Sequence, residues 1–164
     1  MEAIFTKCHR PCLISIVFLA TTLGMSHNCV PGDHPQCDQY DGFFTLGPTD
    51  QRDAEFLRYP IETQLEIYIC GWYHEPGPRY YADCIADRGD EVIPLVLERL
   101  KRERREFSQK AIVYIFLRMA KKGYMRGRPD AVDVIRPIVS SMKNQYTRES
   151  TQQYLDEIEK DAMK

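Results

Sequence analysis

The sequence predicts an all-α protein. Apolar residues recur at three- and four-residue spacing through most of the chain after residue 49. Proline, glycine and helix-capping residues separate these stretches. No stretch alternates between apolar and polar residues at a period of two, which a half-buried strand would require. We therefore expect antiparallel helical hairpins, arranged as a short stack or as a compact bundle, with an irregular N-terminal arm.

The first 26 residues have the pattern of an export signal. Three basic residues precede an apolar run over residues 12–24. This run is shorter than the ~20 apolar residues of a membrane-spanning helix and matches the ~7 to 15 of a signal core. We expect cleavage after Ser26, with an earlier cut near Ala20 as an alternative, and a periplasmic or secreted product without a stable membrane span. An uncleaved anchor and a buried helix are the other interpretations.

The remainder of the chain has the size and composition of one folded domain. The full sequence is 43% hydrophobic and 28% charged, with a net charge of −2, so it is neither a disordered tail nor strongly basic or acidic overall. Residues 27–48 are rich in turn-forming residues and should form the irregular arm, which Phe43 and Phe44 pin to the body. Residues 49–164 should form a single α-helical domain.

Local signals place the helix boundaries. Gly89 and Gly123 should end helices because glycine readily adopts the left-handed conformation. Pro129 suits a first turn, whereas Pro137 should kink the helix that contains it. Residues 108–122, capped by Ser108, are apolar on most sides and predict a central helix. The expected helices cover about 50–59, 60–75, 79–88, 91–105, 108–122 and 129–142, and a last one that begins at Thr147 or Thr151.

Four cysteines remain after the signal: Cys29, Cys37, Cys70 and Cys84. An even number of cysteines in an exported protein favours disulfides, and four cysteines allow three pairings. Proximity along the chain favours Cys29–Cys37 and Cys70–Cys84.

Few residues indicate catalysis or metal binding. His34 and Cys37 have the spacing of metal ligands, but an exported thiol is more often paired in a disulfide, so we expect no metal and no cofactor. His74, Glu75 and Asp83 would form a general acid–base site if the hairpin between them folded back. The favourable position of a histidine at a helix C-terminus explains His74 equally well. These residues do not exclude an enzyme, but they favour a protein without catalytic activity.

The charge distribution is more informative. Residues 99–128 contain eleven basic and two acidic residues, whereas residues 27–91 contain thirteen acidic and four basic ones. A basic surface is therefore the predicted binding site, unless these cations pair with the acidic half or simply face water. Its predicted residues are Arg104, Arg105, Lys121, Lys122, Tyr124, Arg126 and Arg128.

The loop over residues 121–128 is the centre of this predicted surface. Its cations favour an anionic partner, and Tyr124 and Met125 are expected to supply apolar contact. An exported protein rarely meets nucleic acid, so we expect an acidic protein or an anionic envelope component. The sequence thus predicts an exported protein-binding module, such as an inhibitor, an immunity-type partner or an assembly factor. The alternatives are a small envelope enzyme that uses His74, Glu75 and Asp83, and a structural protein without a dedicated ligand.

A shift of 43 residues aligns two parts of the chain. It places Pro94-Leu95-Val96 on Pro137-Ile138-Val139 and Ser108-Gln109 on Thr151-Gln152. Over about residues 90–160, this period and the proline in the first helix of each pair resemble the HEAT and armadillo class of helical repeats. The resemblance implies that the hairpins stack side by side.

Overall fold

The computed structural model describes residues 37–47, 49–73 and 80–164, and within these ranges the protein is all-α with no strand. This confirms the predicted fold class. Two short 3-10 segments, Asp38–Tyr40 and Gly89–Val92, accompany the α-helices. The α-helices in chain order are α1 (Asp41–Phe44), α2 (Thr49–Arg58), α3 (Ile61–Gly71), α4 (Tyr81–Ala86), α5 (Ile93–Arg102), α6 (Glu106–Lys121), α7 (Pro129–Ser140) and α8 (Gln145–Ala162).

Several predictions fall outside the described residues. The export signal over residues 1–26 is one of them, and Cys29 and His34 are others. His74 and Glu75 of the possible catalytic site also lie outside.

Helix α6 lies at the centre of the core and packs against α8, α4, α5, α3 and α7. Its residues Ile112, Ile115 and Phe116 are fully buried, which confirms the central helix predicted from its broad apolar surface. The hydroxyl of Tyr68 on α3 donates a hydrogen bond to the carbonyl oxygen of Ala111 at 3.0 Å. This bond satisfies a buried polar group and joins two helices that are far apart in sequence.

Part of the segment predicted as irregular is helical, because α1 and the 3-10 segment before it occupy residues 38–44. Phe43 is buried there, with its ring centroid 5.9 Å from that of Tyr81 and 6.2 Å from that of Phe56. The rings of Phe56 and Tyr81 are stacked, with their centroids 4.0 Å apart. These contacts confirm that Phe43 attaches the arm to the body.

The glycine at the end of α6 is predicted correctly. Gly123 has a φ of +81°, in the left-handed region that follows a helix C-terminus. Gly89 has a φ of +66°, but α4 ends earlier than predicted, at Ala86, and Gly89 begins the 3-10 segment that follows. Pro129 lies in the first turn of α7, as predicted, and Pro137 lies inside the same helix. The kink predicted at Pro137 stays a prediction.

The helix predicted over 91–105 is shorter, Ile93–Arg102, and the predicted starts of α6 and α8 are wrong. Helix α8 begins at Gln145, because the side chain of Asn144 accepts a hydrogen bond from the backbone N–H of Thr147 at 2.9 Å and so caps the helix earlier than expected. Ser108 lies inside α6 rather than at its start, is buried, and forms a hydrogen bond of 2.8 Å with the Tyr73 hydroxyl. The Ser108 hydroxyl therefore bonds to Tyr73, a residue distant in sequence, and does not cap the helix.

The predicted disulfide pairing is also wrong. Cys37 is bonded to Cys70, with their Cα atoms 5.6 Å apart, so neither Cys29–Cys37 nor Cys70–Cys84 forms. The start of the described arm lies against the end of α3, and this approach makes Cys70 the neighbour of Cys37 in space. Cys84 on α4 keeps a free thiol, whose pKa is raised by burial and by the nearby carboxylates of Asp53 and Asp87.

The two prolines of the 43-residue alignment occupy different positions in their helices. Pro94 lies in the first turn of α5, whereas Pro137 lies within the C-terminal half of α7. Helices α5 and α7 pack against each other, as do α6 and α8. The similarity to HEAT and armadillo repeats stays a prediction.

No described helix combines the length and the apolar character needed to cross a membrane.

Candidate functional site

Helix α6 separates the predicted basic surface into two parts. Arg104 and Arg105 precede its N-terminus, whereas the loop over residues 121–128 begins at its C-terminus. The helix contains 16 residues and is therefore about 24 Å long at 1.5 Å per residue. The seven predicted residues therefore form two surfaces rather than one.

At the N-terminal end of α6, Arg105 has an internal partner. Its Nε donates to Oε1 of Glu103 at 2.8 Å, and its Nη2 donates to Oε2 at 2.7 Å. Glu103 Oε1 also accepts from the backbone N–H groups of Arg104 and Arg105, each at 2.9 Å. Arg105 thus stabilises the turn between α5 and α6, and its guanidinium is engaged there.

Glu103 is only 4% exposed, and burial alone would raise the pKa of its carboxyl. The hydrogen bonds from Arg105 and the charge of Arg99, whose Nη1 lies 2.9 Å from Oε2, outweigh burial and lower this pKa to about 2. The buried carboxylate is therefore ionised at neutral pH and holds two arginines.

Arg104 is exposed and has no ion pair among the described residues. It lies beside a cavity of about 370 Å³ at the N-terminal ends of α6 and α8. The cavity is lined by Tyr73, Arg104, Arg105, Glu106, Phe107, Asn144 and Thr147. Of the two arginines that line this cavity, Arg105 is bound to Glu103 and Arg104 is exposed.

The loop at the other end of α6 is held by backbone hydrogen bonds. Gly123 N–H donates to the carbonyl of Ala120 at 2.9 Å and Tyr124 N–H donates to that of Met119 at 3.0 Å, the two bonds of a Schellman motif. Gly127, with a φ of +68°, donates to the carbonyl of Ala162 at 3.1 Å. The loop is therefore attached to the ends of both α6 and α8.

Most cations of this loop pair with carboxylates of the same molecule. Lys122 forms an ion pair with Asp87, and Arg128 Nη2 lies 3.4 Å from Oδ1 of Asp90. Both acids belong to the acidic N-terminal half, so the interpretation that the cations pair with that half is correct for these residues. Lys121, in contrast, has no carboxylate partner in the part of the chain that the structure describes.

The apolar residues of the loop face the protein rather than a partner. Met125 is 0% exposed and belongs to the core, so the prediction that it contacts a partner is wrong. The loop turns inward at this position, and the apolar side chain is buried beneath it. Tyr124 is half-buried and lies so close to Gly89 that a Cβ added there would be 3.3 Å from its ring.

A groove of about 670 Å³ lies between the C-terminal ends of α6 and α8. Its charged lining consists of five cations and two carboxylates: Lys121, Lys122, Arg126, Lys160, Lys164, Glu157 and Asp161. Leu117, Ala120, Gly123 and Met163 complete it, and we call this site the basic groove.

The basic groove contains three residues of the predicted surface and several that the prediction missed. Arg126 is 65% exposed, and its Nε lies 3.5 Å from Oδ1 of the buried Asp161. Lys160 and Lys164 were missed because they follow Lys121 by about forty residues and lie in and just after a helix rich in acidic residues. The available signal was that Lys160 and Lys164 both lie in the last five residues of the sequence, close together at the end of α8.

Asp83, the described member of the possible catalytic group, belongs to an ion pair. Its Oδ1 lies 2.7 Å from Nε of Arg118 on α6 and 3.9 Å from Nζ of Lys122. The hydrogen bond to Asp83 raises the pKa of Arg118. Asp83 therefore joins α4 to α6. Among the described residues, no group of three or more histidine, cysteine or carboxylate side chains is placed to hold a metal ion.

Compared with protein-family models, curated proteins and solved structures, the chain matches none of them.

Proposed function

We propose that this chain is an exported helical module that binds an acidic segment of a partner protein in the basic groove. The observation that carries the proposal is the excess of cations in the groove, where Lys121 has no carboxylate partner among the described residues. An excess of one charge in a concave site attracts the opposite charge and orients it.

The ion pairs around the groove support a protein partner. Arg126 and Lys164 share the single carboxylate of Asp161, with N–O distances of 3.5 and 3.6 Å. These shared and partly exposed pairs leave the cations able to contact a second carboxylate. A segment that carries two or more acidic side chains would therefore meet several cations at once.

The apolar lining supports the same conclusion. Met163 is 81% exposed at the edge of the groove, beside Leu117 and Ala120. A flexible methionine adapts to many apolar surfaces and is common at binding sites. A partner that presents one apolar side chain near its carboxylates would bury this methionine.

Export is part of the proposal. The basic start and short apolar run of residues 1–26 support it, and so does the Cys37–Cys70 bond, because disulfides persist in oxidising compartments. An inhibitor, an immunity-type protein or an assembly factor would each use a groove of this kind. Co-purification of the native protein with an acidic partner in stoichiometric amounts is the expected result.

The direct test measures the affinity of a fluorescent peptide of glutamate and leucine for the wild-type protein and for Lys121→Glu. Reversing an exposed charge at the site should weaken binding about tenfold. Lys143→Glu is the matched control, because Lys143 is exposed and lies outside the basic groove. Equal affinities for all three proteins would contradict the proposal.

A further inference from the structure

A second groove of about 590 Å³ lies between α3 and α5, and none of its residues belongs to the basic groove. Leu65, Pro94 and Leu95 supply its apolar surface. Four carboxylates and two guanidinium groups surround them: Glu62, Glu66, Glu91, Glu98, Arg99 and Arg102. We call this site the acidic groove.

Residue spacing explains why these side chains meet. Glu91, Leu95, Glu98 and Arg102 follow one another at intervals of three or four residues, which places them on one side of α5 and of the 3-10 segment before it. Glu62, Leu65 and Glu66 share one face of α3 in the same way. Glu66 and Arg99 close the groove with a two-point contact, in which the N–O distances are 2.5 and 3.2 Å.

The charges of the acidic groove are not all neutralised internally. Glu66 pairs with Arg99, and Glu98 pairs with Lys101 at 2.8 Å. Glu62 and Glu91 are exposed and have no cationic partner among the residues that the structure describes, and Arg102 is exposed there without a carboxylate partner, so the unpaired groups leave an excess of one negative charge. Two available carboxylates therefore lie beside an apolar surface that is partly open to solvent.

We infer that the acidic groove is a second docking site, and that it binds a segment of a partner protein in which lysine or arginine residues flank an aliphatic side chain. The aliphatic group would contact Pro94 and Leu95, and the cations would meet Glu62 and Glu91. The volume falls within the ~300 to 1,000 Å³ of typical ligand sites and is sufficient for one or two anchoring side chains. Apolar anchors between complementary charges are a recurring mode of peptide recognition.

This inference is independent of the proposed function, because the two grooves differ in charge and share no residue. One groove selects an acidic segment and the other selects a basic one. A protein with both sites would bring two oppositely charged partners together on one small helical body.

The probe for the acidic groove is a fluorescent peptide of lysine, leucine and alanine, followed by anisotropy. Glu62→Gln combined with Glu91→Gln removes two charges and keeps the size of both side chains. Loss of two exposed ion pairs should weaken binding about fivefold. The matched control combines Glu149→Gln with Asp156→Asn, which removes the same charge from exposed positions on α8 and should keep the wild-type affinity.

Two further comparisons complete the experiment. A peptide in which alanine replaces leucine should bind several-fold more weakly, because the apolar anchor is gone. Lys121→Glu should leave the affinity for the lysine–leucine peptide unchanged, which separates this site from the basic groove. Thermal unfolding of each variant establishes that the protein is folded.

Three results would overturn the inference. The first is equal affinity of the wild-type protein and the Glu62→Gln, Glu91→Gln variant. The second is an equal loss in the Glu149→Gln, Asp156→Asn control, which would show a general charge effect. The third is equal binding of the peptides with and without leucine, which would exclude an apolar contact.

Discussion

Glu103 and Arg105 form a two-point ion pair at the turn between α5 and α6, in which the N–O distances are 2.8 and 2.7 Å. The carboxylate is buried, and it also accepts hydrogen bonds from two backbone N–H groups of the turn. Arg105 was predicted to bind a partner, but its side chain instead stabilises the turn that joins α5 and α6. Arg104, its neighbour, is exposed.

We expect Glu103→Gln to lower the free energy of unfolding by about 2 to 3 kcal/mol at pH 7, as the lowered pKa of the carboxyl implies. The folded-state pKa of about 2 lies below the ordinary value of 4.5. The stabilisation is therefore fully present above pH 4.5 and is lost as the pH falls towards 2. Urea unfolding of both proteins at pH 7, 4 and 2.5 measures this difference.

The difference in the free energy of unfolding between the wild type and Glu103→Gln should become smaller as the pH falls. Glu149→Gln is the control, because Glu149 is exposed and its loss should leave stability close to that of the wild type. A constant difference between Glu103→Gln and the wild type at all three pH values would show that the charge of Glu103 is not what stabilises the turn.

Peptide mapping without reductant should recover Cys37 linked to Cys70. The bond closes a sequence separation of 33 residues, for which the chain-entropy model predicts a stabilisation of about 3 to 4 kcal/mol. Reduction should therefore lower the melting temperature, and Cys70→Ser should lower it by a similar amount. Recovery of a Cys70–Cys84 peptide instead would contradict the observed connection between the arm and α3.

Met125→Ala should destabilise the protein by about 2 to 5 kcal/mol, because it leaves a cavity at a fully buried position. Lys121→Glu, a few residues away and exposed, should change stability by less than about 0.5 kcal/mol. Denaturant unfolding distinguishes the two variants. If Met125→Ala kept wild-type stability and lost only affinity for an acidic peptide, Met125 would be a contact residue after all.

Gly89→Ala should destabilise the protein by roughly 1 to 2 kcal/mol. The residue has a φ of +66°, which a residue with a Cβ adopts at a cost, and the new Cβ would lie 3.3 Å from the ring of Tyr124. Gly42→Ala is the control, since a Cβ at Gly42 meets no atom within 4 Å. In thermal unfolding, the melting temperature of Gly89→Ala should be well below that of Gly42→Ala. Equal melting temperatures of the two variants would contradict the expected strain.

The sequence by itself determined the all-α class, the central position of α6 and several helix ends. Each of these depends on local information: the spacing of apolar residues shows which face is buried, and Gly123 and Pro129 have backbone preferences that act within one turn. Sequence reasoning also detected the excess of cations around the loop that follows α6.

Only the tertiary structure decided which of those cations remain available and which cysteines pair. Among the described residues, Arg128 is paired and Lys121 is not, because α4 and the segment after it approach one side of the loop, and no local pattern encodes that approach. Cys70 meets Cys37 for the same reason, since the packing of the arm on α3 overrides proximity along the chain. The two grooves likewise arise between helices that are distant in sequence, so that their charges are brought together by packing of the core.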